Sequence, residues 1–142
     1  MSKAPFNATD YPIAERRSAD VTGARGRGLD ELMLDAVLSG EVGIEDLRIT
    51  PGALLAQAEI ARAAGRDRLA ENFERAAEMT MLPAGEVMEI YDLLRPGRAQ
   101  DAAPLLDWAR RLREEFDSPR LAEFVEEAAA VYERRGLFRV RF

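Results

Sequence analysis

The 142-residue sequence contains no cysteine and no histidine. The first absence excludes disulfides, thiolate nucleophiles and cysteine-held zinc or iron–sulfur centres. The second removes the commonest metal and haem ligand and the usual general base at neutral pH. No apolar run approaches the ~20 residues that span a bilayer, and the N-terminus shows no apolar core of a signal peptide. Positive charge is in deficit: 20 Lys and Arg against 26 Asp and Glu leave a net −6. That balance argues against nucleic acid or an anionic membrane as the main partner. What is present is a globular composition, 47% apolar and 32% charged, expected in the cytoplasm and long enough for one domain with a real core.

The hydrophobic period predicts an all-α, compact, bundle-like domain with an extended N-terminal arm. Residues 1–28 form the arm, in which Pro5, Pro12, Gly23, Gly26 and Gly28 interrupt every possible period. Phe6, Tyr11 and Ile13 give it apolar anchors, so it either folds back or lies, as we expect, on a partner subunit. A helical domain follows over 29–136, with 137–142 as a tail. From Leu29 a 3.6-residue stripe runs through Leu32, Met33 and Val37 to a stop at Gly40. A short turn follows at Ile44–Arg48. Thr50-Pro51 is a cap-and-proline start for a helix to about Ala64, with Leu54, Ala58 and Ala61 inward and Leu55 widening the stripe.

A helix from Asp67 to Met79 is expected to carry Leu69, Phe73, Ala76 and Ala77 inward. The next holds Val87, Ile90, Tyr91 and Leu94 between Pro83 and Pro96-Gly97. Leu105, Trp108, Ala109, Leu112 and Phe116 make the cleanest stripe. Ser118-Pro119 repeats the cap-and-proline start before Leu121, Phe124, Val125, Ala128 and Tyr132, and Gly136 stops the helix. Only Phe138 to Phe142 alternates at period two.

Few residues are arranged for chemistry. The acids at Asp30, Glu31 and Asp35, at Glu114, Glu115 and Asp117, and at Glu126 and Glu127 fall opposite the apolar stripes, where carboxylates are solvated. A di-metal carboxylate bundle would place Glu inward and add Glu-x-x-His pairs. No spacing converges two carboxylates in an apolar cleft. Gly26-Arg27-Gly28 lacks the ending and the preceding strand of a phosphate loop. Arg48, Arg62, Arg66, Arg68, Arg75 and Arg95 are interleaved with Glu59, Asp67, Glu71, Glu74 and Glu78, which makes mixed-sign faces rather than a basic one. A helix-turn-helix reader at Ala63-Gly65-Arg66 would sit in an acidic domain. No catalytic, cofactor-binding or metal-binding residue is therefore assigned.

At Asp46-Leu47-Arg48-Ile49-Thr50-Pro51 the chain resembles the small (gamma) subunit of the adenosylcobalamin-dependent propanediol (diol) and glycerol dehydratases. The likeness continues through Leu55-Ala56-Gln57-Ala58-Glu59-Ile60-Ala61 and is strongest from Leu69 to Glu78. Glu89-Ile90-Tyr91, Leu93-Leu94-Arg95-Pro96 and Val131-Tyr132-Glu133-Arg134 extend it, with Asp10-Tyr11-Pro12 and Leu34 to Ser39 upstream. About residues 10–135 are covered.

The resemblance implies a non-catalytic subunit of a lyase assembled as a dimer of heterotrimers. In that family the large subunit is a barrel holding substrate and catalytic residues, and adenosylcobalamin lies between large and medium subunits. A radical mechanism turns propane-1,2-diol or glycerol into the aldehyde. The expected partners are thus the large and medium subunits, with no nucleic acid and no membrane, and the cofactor is bound by the partners rather than by this chain. Candidate subunit-interface residues are Tyr11, Arg48, Phe73, Arg75, Tyr91 and Arg95, each of which has internal packing or an ion pair as its other reading. Only nine residues precede Asp10, whereas relatives packaged in bacterial microcompartments often carry a longer extension, so the expectation is a complex outside such a compartment. Gly43 stands where the family often has a capping Thr, and the stretch from Gly97 to Pro104 and the apolar end also depart from its pattern. The remaining alternative is a stand-alone helical adaptor that reuses the scaffold.

Overall fold

Helices account for the regular structure of the computed structural model, which describes residues 4–138. Among these residues there is no strand, only an isolated bridge between Thr22 and Gly28, so the fold is all-α as the periodicity predicts. Among the described residues no helix is long and apolar enough to cross a membrane. The alternation over 139–142 lies outside the described residues. The chain divides into two compact units, one ending at Ala77 and the other beginning at Glu78.

The first unit holds α1 (Ile13–Arg16), α2 (Leu34–Leu38), α3 (Ile44–Leu47), α4 (Pro51–Ala63) and most of α5 (Asp67–Met79). Thr50 Oγ1 accepts the Ala53 N–H at 3.2 Å, and Pro51 occupies the first turn, so the predicted start of α4 is realised. Two faces of α4 are buried. Ala56 and Ile60 pack on Ile13 with Phe6 and Val21, while Ala58 and Ala61 pack on Ala70 and Phe73 of α5. The second contact is alanine on alanine, which lets the two backbones approach closely. The N-terminal residues run back along α4: the Phe6 N–H donates to Glu59 Oε2 at 2.7 Å, and the Arg17 guanidinium lies 4.0 Å over the Phe6 ring.

Three expectations for this unit fail. The stripe from Leu29 is broken into a 3₁₀ turn (Leu29–Glu31) and α2, because Met33 is extended between them, and Met33 and Val37 face solvent. On α5 Ala77 is buried and Phe73 packs against the core as expected, but Leu69 is exposed and Ala70 and Glu74 are buried in its stead. Leu55 is exposed as well; Ala56 and Ile60 widen the α4 face instead. In each case apolarity was periodic, but the surface available to cover it was not where the period pointed.

The second unit holds the end of α5, then α6 (Ala84–Leu93), α7 (Ala103–Glu114) and α8 (Pro119–Arg135). Leu105, Trp108, Ala109 and Leu112 of α7 interlock with Leu121, Ala122, Val125 and Ala129 of α8, and Leu82 and Ile90 close the cluster. The Tyr132 hydroxyl donates to the Leu94 carbonyl, and its ring meets Phe138 edge-on at 5.9 Å. Gly136, at φ 64°, ends α8 in the left-handed conformation that glycine adopts without strain.

Ser118 does not cap α8. Its hydroxyl donates to the Phe116 carbonyl at 3.1 Å, and the helix N–H groups of Arg120 and Leu121 go to the Glu78 carboxylate at 3.2 and 2.7 Å. Serine is short and points back at its own turn, whereas a carboxylate brought in from a distant position satisfies two amides and meets the positive end of the helix.

Candidate subunit interface

The irregular stretch between the arm and α4 is held by one buried carboxylate. The Asp46 side chain is inaccessible to solvent. Its Oδ1 accepts Arg25 Nε at 2.8 Å, its Oδ2 takes Arg25 Nη2, and its Oδ2 also accepts the Gly43 N–H at 3.0 Å. The Arg25 hydrogen bonds hold Asp46 down at about 2 from its ordinary 3.8, with the Gly43 N–H assisting, against burial that pushes it up. Arg25 also reaches the Glu41 carbonyl at 3.2 Å. A Cβ on Gly23 would stand 2.8 Å from the Asp46 carbonyl oxygen, so only glycine allows the arm to lie this close to α3. At Gly43, which has no capping side chain, the Asp46 carboxylate still takes the backbone N–H, the half of a capping box that needs no side chain at 43.

Four of the arginines expected to form mixed-sign faces, Arg48, Arg62, Arg68 and Arg95, are paired with acids within the chain. Arg62 reaches Glu74 at 2.8 Å, Arg68 reaches Glu71 at 3.5 Å, and Arg113 binds Glu126 with two contacts, the longer at 2.8 Å. Arg111 stacks over Trp108 at 4.0 Å and reaches Glu115 at 3.2 Å. Among the described residues no group of three or more acidic side chains is gathered as metal ligands.

Each unit carries a concavity among its described residues. In the first unit a hollow of about 760 Å³ is walled by Tyr11, Ile49, Leu54, Ile60, Leu69 and Phe73, with Gln57 and Arg66 as polar members. In the second, a depression of about 210 Å³ is almost wholly apolar, formed by Met79, Leu82, Ile90, Tyr91, Leu121 and Phe124 among others.

The structure brings Tyr11 and Phe73 together on the first hollow, Tyr11 exposed and Phe73 partly buried against Ala58, Ala61 and Ala70. Arg48 is exposed and pairs with Glu45 at 3.2 Å. Arg75 is partly buried and donates to the Asn72 side-chain oxygen. Tyr91, 60% exposed, lines the second depression, while Arg95 on the turn after α6 pairs with Asp92 at 3.3 Å. Four of the six, Tyr11, Arg48, Phe73 and Arg75, belong to the first unit, and Tyr91 and Arg95 to the second. Sequence reasoning overlooked the exposed side chains of α2 and α3, among them Leu34, Leu38, Ile44 and Leu47. The signal available for them was the acidic run between Leu29 and Leu47, which contains no Lys or Arg.

An all-α chain with few groups for chemistry and much apolar surface left open has the character of a component of a larger assembly. The chain belongs to the dehydratase small-subunit family, which it matches over residues 6–139. It is 47% identical over 127 residues to the propanediol dehydratase small subunit of Citrobacter freundii, covering 89% of this chain and 73% of that one. To the propanediol dehydratase small subunit of Salmonella typhimurium it is 46% identical over the same shares.

Proposed function

We propose that this chain is the small subunit of a diol dehydratase, a lyase complex that converts propane-1,2-diol or glycerol to the aldehyde in the cytoplasm. It contributes shape and buried contact area, while substrate and chemistry belong to large and medium subunits in a dimer of heterotrimers. The observation that carries this reading is the 47% identity sustained over 127 residues, which runs through both units rather than through one motif.

The complex uses adenosylcobalamin on this reading, as a source of the radical that abstracts substrate hydrogen. The group does not fit this chain. A corrin rim of amides needs many matched donors and acceptors, and the larger hollow offers only Tyr11, Gln57 and Arg66 in an otherwise apolar wall. The sequence has no imidazole or thiolate to present to cobalt. On this reading the cofactor is held by the partners, and no chemical step is assigned to residues of this chain. Tyr11, Arg48, Phe73, Arg75, Tyr91 and Arg95 serve assembly on this reading.

Co-expression with the large and medium subunits tests it. One stoichiometric complex on gel filtration, active on propane-1,2-diol or glycerol with added adenosylcobalamin, is the expected result. Three proteins eluting separately would overturn it.

A further inference from the structure

Single exposed apolar side chains are ordinary; a concentration of them is not. In the 17 residues from Met33 to Ile49, Met33, Leu34, Val37, Leu38, Ile44, Leu47 and Ile49 are all exposed, Leu34 and Leu38 at 71% and 76%. Leu34, Val37 and Leu38 stand at i, i+3 and i+4 on α2, and Ile44 and Leu47 at i and i+3 on α3, so each short helix offers one apolar face. Neither face is loose. The Val42 N–H donates to the Ala36 carbonyl at 2.9 Å, Val42 is buried, and the Arg25–Asp46 contact clamps α3 from behind.

The charge of this stretch is in acidic excess. From Leu29 to Leu47 there are six acids and no base. Glu31 and Glu45 are met by Arg27 at 3.7 Å and Arg48 at 3.2 Å, and Asp46 by Arg25. Asp30, Asp35 and Glu41 have no cation within 4.0 Å among the described residues. We propose that the α2–α3 strip is a preorganised docking surface, seated on a face of a companion dehydratase subunit that is apolar at its centre and edged with Lys or Arg. An acidic partner, or a second copy of this same acidic strip, would set like charges against each other. The inference rests on the reading of the chain as a dehydratase subunit.

Competition within the complex tests it. Tagged wild-type chain and an untagged variant are co-expressed in equal amounts with the large and medium subunits, and the ratio of the two small chains in the purified complex is measured. L34S/L38S, which alters only exposed side chains, should be incorporated at less than a tenth of the wild-type level. D35K/E41K should fall below a third, and it decides the matter if L34S/L38S on its own shows reduced helicity. Parity of a folded variant with wild type would overturn the docking proposal while leaving the subunit reading intact. Loss of self-association by the isolated variant with parity in the complex would assign the strip to a second copy and overturn it too. Failure of the wild-type chain itself to enter the complex would instead overturn the subunit reading.

Discussion

The Leu121 N–H donates to Glu78 Oε2 at 2.7 Å, and the Arg120 N–H donates to Oε1 of the same carboxylate at 3.2 Å. One side chain thus serves two of the amides left open at the start of α8, and its negative charge meets the positive end of that helix. Glu78→Ala should lower stability by about 1–2 kcal/mol, with Glu78→Gln losing less because an acceptor remains. Urea unfolding followed by circular dichroism checks the order; a larger loss for the Gln variant than for Ala would refute it.

The Asp46 carboxylate, held at about 2 by Arg25 and the Gly43 N–H, is charged in the folded protein at pH values where the unfolded chain, near 3.8, already takes up a proton. A depressed folded value contributes stability that is complete above the unfolded value and is lost as pH falls toward the folded one. The urea midpoint should therefore decline between about pH 5 and pH 2. Asp46→Asn should flatten part of that decline and lower the melting temperature at pH 7, since Arg25 and Gly43 lose their charged acceptor. A variant with an unchanged acid limb would remove Asp46 from the account.

Leu105 and Leu112 are fully buried between α7 and α8. Leu112→Ala should cost about 2–5 kcal/mol, from lost transfer energy plus the cavity left behind. Leu106→Ala, on the exposed side of the same helix, should stay within about 0.5 kcal/mol. Thermal denaturation of the two variants side by side measures the difference.

Tyr91 and Arg95 separate assembly from internal packing. Both are largely exposed, so Tyr91→Ala and Arg95→Ala should leave the isolated chain within about 0.5 kcal/mol of wild type. If they touch a partner subunit, the yield of assembled complex falls while the melting temperature of the isolated chain holds. A fall in that melting temperature with normal assembly would return them to internal packing.

Helix existence and class were readable in the chain itself. Thr50-Pro51, Gly136 and the spacing of Leu105, Trp108, Ala109 and Leu112 are local signals, because caps, stops and a 3.6-residue stripe act within a few positions. Family membership was readable too, in a collinear run of residues rather than in any reactive group. Of the candidate interface, the sequence offered residue types alone, and it overlooked Leu34, Leu38, Ile44 and Leu47.

The amino-acid sequence alone determined an all-α chain, through its 3.6-residue period, and one with no imidazole or thiolate to offer catalysis, through which side chains exist. Only the tertiary structure decided that Leu69 and Leu55 are exposed while Glu74 and Asp46 are buried, that Glu78 rather than Ser118 caps α8, and that the stripe after Leu29 is left uncovered. Those outcomes depend on which surfaces and partners lie across from each residue, 21 positions away in the chain for Asp46 and Arg25 and 43 for Glu78 and Leu121, and periodicity carries no record of them.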